Sequence, residues 1–126
     1  FISQFVPFRS PRFASLPKQA ASVTFARNIS SRILPVISPH LVVCLGRKVQ
    51  RELQRLLPPA LGVVETDTEA LPTGWGKYNA EVTTFSKAGS TMRLLYLPHL
   101  STWTLFTSDK CRTFLPAIIH AAAKYA

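Results

Sequence analysis

The sequence predicts an α/β protein, a three-layer sandwich in which helices lie on both faces of a mostly parallel sheet. Three stretches predict it. Pro39 to Leu45, PHLVVCL, is a continuous apolar run closed by Gly46, the pattern of a strand buried on both faces by helices. Val49, Leu53, Leu56 and Leu57 then recur at helical spacing until Pro58 and Pro59. Later, Met92 to Leu97 has strand character and stops at Pro98, which cannot donate to a sheet ladder. At 126 residues and 47% hydrophobic content, the chain suits one domain, residues 1–126, with a modest core.

In chain order, Phe1 to Val6 reads as a short strand, broken by Pro7, Pro11 and Pro17, so residues 7–19 form a basic surface loop. Residues 20–34 carry Val23, Ala26, Ile29 or Ile33, and Leu34 at helical recurrence, a helix ending near Pro35. After the Pro39–Leu45 strand and its helix, residues 60–79 hold Gly62, Pro72, Gly74 and Gly76 with Glu65, Asp67 and Glu69, and read as an irregular acidic insertion. Trp75 and Tyr78 there are read as packed aromatics under a loop. Glu81 to Phe85 and Met92 to Leu97 flank a turn-rich stretch and read as an antiparallel hairpin. At the end, Ser108 is an N-cap with Asp109 in the first turn. Pro116 either kinks one helix or opens a second, at whose first position a missing N–H costs little.

Two places along this order can carry chemistry. Pro98 stops the strand just before His99, which places the imidazole at a strand's carboxyl end, where open α/β sheets bind ligands. Gly46, Arg47 and Lys48 stand between a strand and a helix, where free N–H groups and two cations can hold a phosphate.

The charge distribution points to a polyanion. There are 15 Lys and Arg against 6 Asp and Glu, a formal charge of +9. Arg9, Arg12, Lys18, Arg27, Arg32, Arg47, Lys48 and Arg51 all precede the first acidic residue, Glu52. Nucleic acid, DNA above RNA, is the partner such a surface suits, because neutralised phosphates release counterions.

Other classes are excluded or disfavoured. No apolar run approaches the ~20 residues that span a bilayer, so no membrane segment is expected. The opening FISQFVPFRSP lacks a secretory cleavage pattern, although Arg and Ser without acids resemble an organellar transit peptide. Because the first residue is Phe, the chain is read as processed, truncated or part of something longer. Cys44 and Cys111, with no CxxC or His-rich spacing, argue against structural zinc and for a reducing, intracellular compartment. No metal and no cofactor is expected.

The loop PFRSP, the strand and turn LVVCLG followed by Arg47, and the strand ending in Pro98-His99-Leu100-Ser101 together resemble the later two-thirds of the uracil-DNA glycosylase superfamily. Members of that superfamily carry a His-Pro-Ser loop; here Leu100 stands in place of the Pro. The resemblance implies that His99 donates a hydrogen bond to a carbonyl oxygen of a base flipped out of the helix. It implies that Ser101 holds a backbone phosphate and that Trp103 or Leu105 wedges into the gap, which needs an apolar side chain. Arg9 and Ser10 of the first loop fall on the DNA side, and Gln4 takes the base-reading place, where the family has Asn. The family's water-activating residue and base-stacking aromatic lie in an early motif that nothing in this chain matches. The implied activity is excision of uracil from DNA in base excision repair. The alternative is a nucleic-acid-binding or ribonucleoprotein subunit that keeps the fold without the chemistry.

Overall fold

The computed structural model describes Phe5, residues 13–99 and residues 105–124. A single 3-10 turn, Phe13–Ser15, leads into helix α1, Gln19–Ile37. Strand β1, Leu41–Leu45, helix α2, Arg47–Leu61, and strands β2, Val64–Trp75, β3, Tyr78–Lys87, and β4, Ser90–Leu97, follow. Helices α3, Asp109–Arg112, and α4, Leu115–Ala123, close the order. Among the described residues no helix is long and apolar enough to cross a membrane.

The sheet overturns the expected mostly parallel sandwich. Its order is β1-β4-β3-β2, and only β1 and β4 run parallel; β2–β3 and β3–β4 are antiparallel. The reason lies in the segment expected to be an irregular insertion. Residues 64–75 form the longest strand, because tight turns at Gly76-Lys77 and Ala88-Gly89 make β2, β3 and β4 an antiparallel meander, leaving no room for crossover helices. The acidic and Thr-rich composition that suggested a loop is that of an exposed edge strand. Glu65, Asp67 and Glu69 face solvent, and Pro72 and a bulge between Glu65 and Asp67 are edge features.

Side chains alternate across this sheet and build two cores. On one face Cys44, Phe85, Met92, Leu94 and Tyr96 pack with Leu34 of α1 and with Leu53 and Leu57 of α2. Phe5 packs against the same cluster. On the other face Ala80, Val82, Leu95 and Leu97 meet Leu105, Cys111, Ile118 and Ala122. Here α4 lies against β2, β3 and β4. Past that cover, Leu41, Val43 and Leu45 of β1 stay 40%, 52% and 37% exposed. Strand β1 is thus an edge strand buried on one face, not the doubly buried central strand its apolar run predicts.

Three prolines sit inside helices where an end was expected. Pro35 lies within α1, which runs on to Ile37 and closes with the Ser38 N–H donating to the Leu34 oxygen at 2.9 Å. Pro58 and Pro59 lie within α2, which continues to Leu61. Proline lacks a donor but keeps its carbonyl, and the Pro58 oxygen accepts from the N–H groups of Gly62 and Val63. Gly62, with φ +66°, supplies the left-handed C-cap. At the chain's end the second alternative holds: α3 is a short turn of helix after Ser108, and Pro116 opens α4. Ser108 makes no side-chain cap hydrogen bond.

Trp75 is half-buried against the second core, as expected of a packed aromatic, whereas Tyr78 is 41% exposed. Gly74 allows the close approach here. Its φ is +85°, and a Cβ at this position would collide with the Lys110 carbonyl of α3.

Candidate functional site

The parallel pair brings the two sequence-marked places together. Strand β1 ends at Leu45 and β4 at Leu97, in register, and the Gly46 N–H donates to the Leu97 oxygen at 3.0 Å. Pro98 stops β4, so His99 emerges over the turn: a Cβ built on Gly46 would lie 3.9 Å from His99 Cδ2. Gly46 adopts φ +90°, a conformation that glycine reaches without strain. Helix α2 starts at Arg47, and the Gly46 carbonyl accepts its first bond, from the Gln50 N–H.

Arg47, expected as a phosphate ligand from its position, has partners within the chain. Its Nη1 lies 2.6 Å from Glu81 Oε1 and donates to Gln50 Oε1 at 2.8 Å, while its guanidinium sits 4.1 Å from the Tyr96 ring centre. The Gln50 amide donates in turn to Glu81 Oε2 at 2.7 Å. Register explains the meeting. Glu81 pairs with Tyr96, and Tyr96 with Cys44, so the three stand in one row on the face that α2 covers. Burial pushes the Glu81 carboxyl up, but hydrogen bonds from Arg47 and Gln50 and the Arg47 charge outweigh it, and hold the group below its usual range. The hydrogen bond to Glu81, ahead of burial, keeps Arg47 firmly protonated. Beneath them, burial pushes the Cys44 thiol up to about 12, which makes it an inert core side chain.

Sequence reasoning missed Glu81, Gln50 and Tyr96. The spacing of Gln50 from Arg47, one helical turn, was the readable signal, but the Glu81 contact depends on strand register between distant segments. The cationic surface is also smaller than its count. Arg27 is matched by Glu52 through two bonds of 2.6 and 3.0 Å, which hold that carboxyl low. Arg32 on α1 and Arg51 and Arg55 on α2 remain exposed.

The other expected site residues divide in two. Gln4, Arg9, Ser10, Ser101 and Trp103 lie outside the described residues. Leu105 is 1% exposed within the second core, so it cannot wedge between bases. Among the described residues no three of His, Cys, Asp or Glu gather as a metal site. Comparison with known protein families, with curated proteins and with solved structures gives no match.

Proposed function

We propose that the chain handles nucleic acid at the end of the β1–β4 pair and excises a base from DNA in the manner of the uracil-DNA glycosylases. The observation that supports this reading is the position of His99 over the Gly46 turn, at the carboxyl ends of two parallel strands. An imidazole N–H aimed at a base carbonyl stabilises the charge that develops as the glycosidic bond breaks. Single donors of this type contribute ~3–4 kcal/mol to a transition state. Ser101 would hold phosphate, Trp103 would fill the gap of the flipped nucleotide, and Gln4 would read the base. Arg9, Ser10 and Lys48, with the exposed Arg51 and Arg55, would meet the backbone.

The test is release of uracil from a uracil-containing oligonucleotide. His99→Ala should lose at least ~100-fold in rate while keeping DNA affinity. Intact strands after long incubation with the unaltered chain overturn the glycosylase reading.

A second reading, a nucleic-acid-binding or ribonucleoprotein subunit without catalysis, is favoured by the Arg47–Glu81 pair, which matches the cation that opens α2 beside the Gly46 turn. It expects salt-dependent binding to RNA and DNA alike and no base release.

A further inference from the structure

On the sheet face opposite the Arg47 cluster, at the middle of β4, a cavity of about 220 Å³ opens between strands β2 to β4 and the end of α4. It is remote from the Gly46 turn. Arg93 lies four residues before the end of β4 at Leu97, or ~13 Å along the strand.

Register builds the cavity. Asp67 pairs with Thr84, and Thr84 with Arg93, so three side chains stand in one row across β2, β3 and β4. In the next row on the same face stand Glu69 and Val82, which are also partners. Helix α4 brings Ala121 over this floor, and Lys124 follows the helix end. The lining therefore holds two carboxylates, two cations, one hydroxyl and two apolar side chains.

These charges do not satisfy one another. Among the described residues the ion pairs are Arg27–Glu52, Arg47–Glu81 and Arg112–Asp109, and the side chains of Asp67, Glu69, Arg93 and Lys124 have no ion-pair or hydrogen-bond partner. Strand spacing accounts for this. Adjacent strands lie ~4.8 Å apart, so the backbones of Asp67 and Arg93, two strands apart, are separated by ~10 Å with Thr84 between them. In a chain of net charge +9, this lining is locally neutral, two negative groups against two positive ones.

We infer that this cavity binds a zwitterionic small molecule of the free α-amino-acid class. The ligand's carboxylate faces Arg93 and Lys124, its ammonium faces Asp67 and Glu69, and an apolar side chain rests on Val82 and Ala121. A simple anion would meet two carboxylates, and a metal ion two cations; only a ligand carrying both charges answers all four groups. Nucleic acid is disfavoured here for the first reason. The volume agrees, since it falls below the ~300–1,000 Å³ of sites for drug-sized ligands. This site is independent of the reading given to His99.

The test is calorimetric titration of the whole chain with L-leucine, with N-acetyl-L-leucine, which lacks the ammonium, and with L-leucine methyl ester, which lacks the carboxylate. Leucine should bind saturably, and each derivative should bind about fivefold more weakly, the scale of an exposed charge pair. In the double variant Asp67→Asn/Glu69→Gln, leucine and its N-acetyl form should become equal. In Arg93→Met, leucine and its methyl ester should converge. These variants alter exposed or half-exposed side chains, and circular dichroism checks that each remains folded. Absence of saturable leucine binding overturns the inference. So does tighter binding of N-acetyl-leucine than of leucine, or discrimination that survives in both variants.

Discussion

Glu81 and Arg47, 34 positions apart in sequence, meet at 2.6 Å because strand β3 carries the carboxylate to the row that the first turn of α2 overlies. The cation that opens α2 thus enters any encounter with a phosphate already matched. An incoming anion competes with Glu81 for the Arg47 charge or is held by other groups.

Glu81→Gln should therefore act in two directions at once. Losing the ion pair should cost about 1 kcal/mol in denaturant unfolding, a modest figure because the Arg47 side chain is 43% exposed. Freeing Arg47 should strengthen oligonucleotide binding severalfold and raise the salt slope by ~1, one added phosphate contact. Weaker binding in Glu81→Gln would show that the pair holds α2 in place without restraining the site.

Acid should destabilise the fold through the same carboxylates. Glu81 and Glu52 are both held below their ordinary values, so below about pH 4.3 the unfolded chain takes up protons before the folded one. Their contribution is fully present above the unfolded value and is lost as pH falls through the lower folded values. A melting-temperature series from pH 6 to pH 2.5 should drop in that window, and the double variant Glu52→Gln/Glu81→Gln should flatten the drop.

Two glycines of equal backbone strain should respond differently to alanine. Gly74 and Gly89 have φ of +85° and +84°, but a Cβ on Gly89 meets open space while one on Gly74 strikes α3. Gly89→Ala should cost about 1–2 kcal/mol, the left-handed penalty alone. Gly74→Ala should cost more in chemical denaturation and should speed exchange of amides in α3.

Cys44 should resist thiol reagents. Burial pushes its thiol up to about 12, and Cys111 is 0% exposed, so a disulfide-exchange reagent at pH 8 should titrate neither in the folded chain and both in denaturant. Rapid labelling of Cys44 would mean that the β1 edge opens readily.

The sequence was most legible where one element decides its own form. Helix α2 shows in Val49, Leu53, Leu56 and Leu57, and the hairpin of β3 and β4 in its turn residues; the stop at Pro98 is equally local. What sequence periodicity could not supply was the neighbour of each strand. LVVCL reads the same in the centre of a sheet as at an edge with one buried face, and the charged, Thr-rich β2 reads as loop until its pairing with β3 is known. The site followed the same division. His99 and Gly46 were marked by their local context, whereas Glu81 and Tyr96 enter through register between distant strands.

The single parallel pairing also sets an order of assembly. Strands β2, β3 and β4 can zip through short turns, with contacts close in sequence, and each such closure costs little chain entropy. Leu41 must instead find Arg93, 52 positions away, before β1 can dock. The Gly46–Leu97 bond and the seat of His99 require that pairing, so sequence separation predicts that this corner forms late in folding. Substitutions in β1 should then leave the folding rate nearly unchanged and appear almost wholly as faster unfolding.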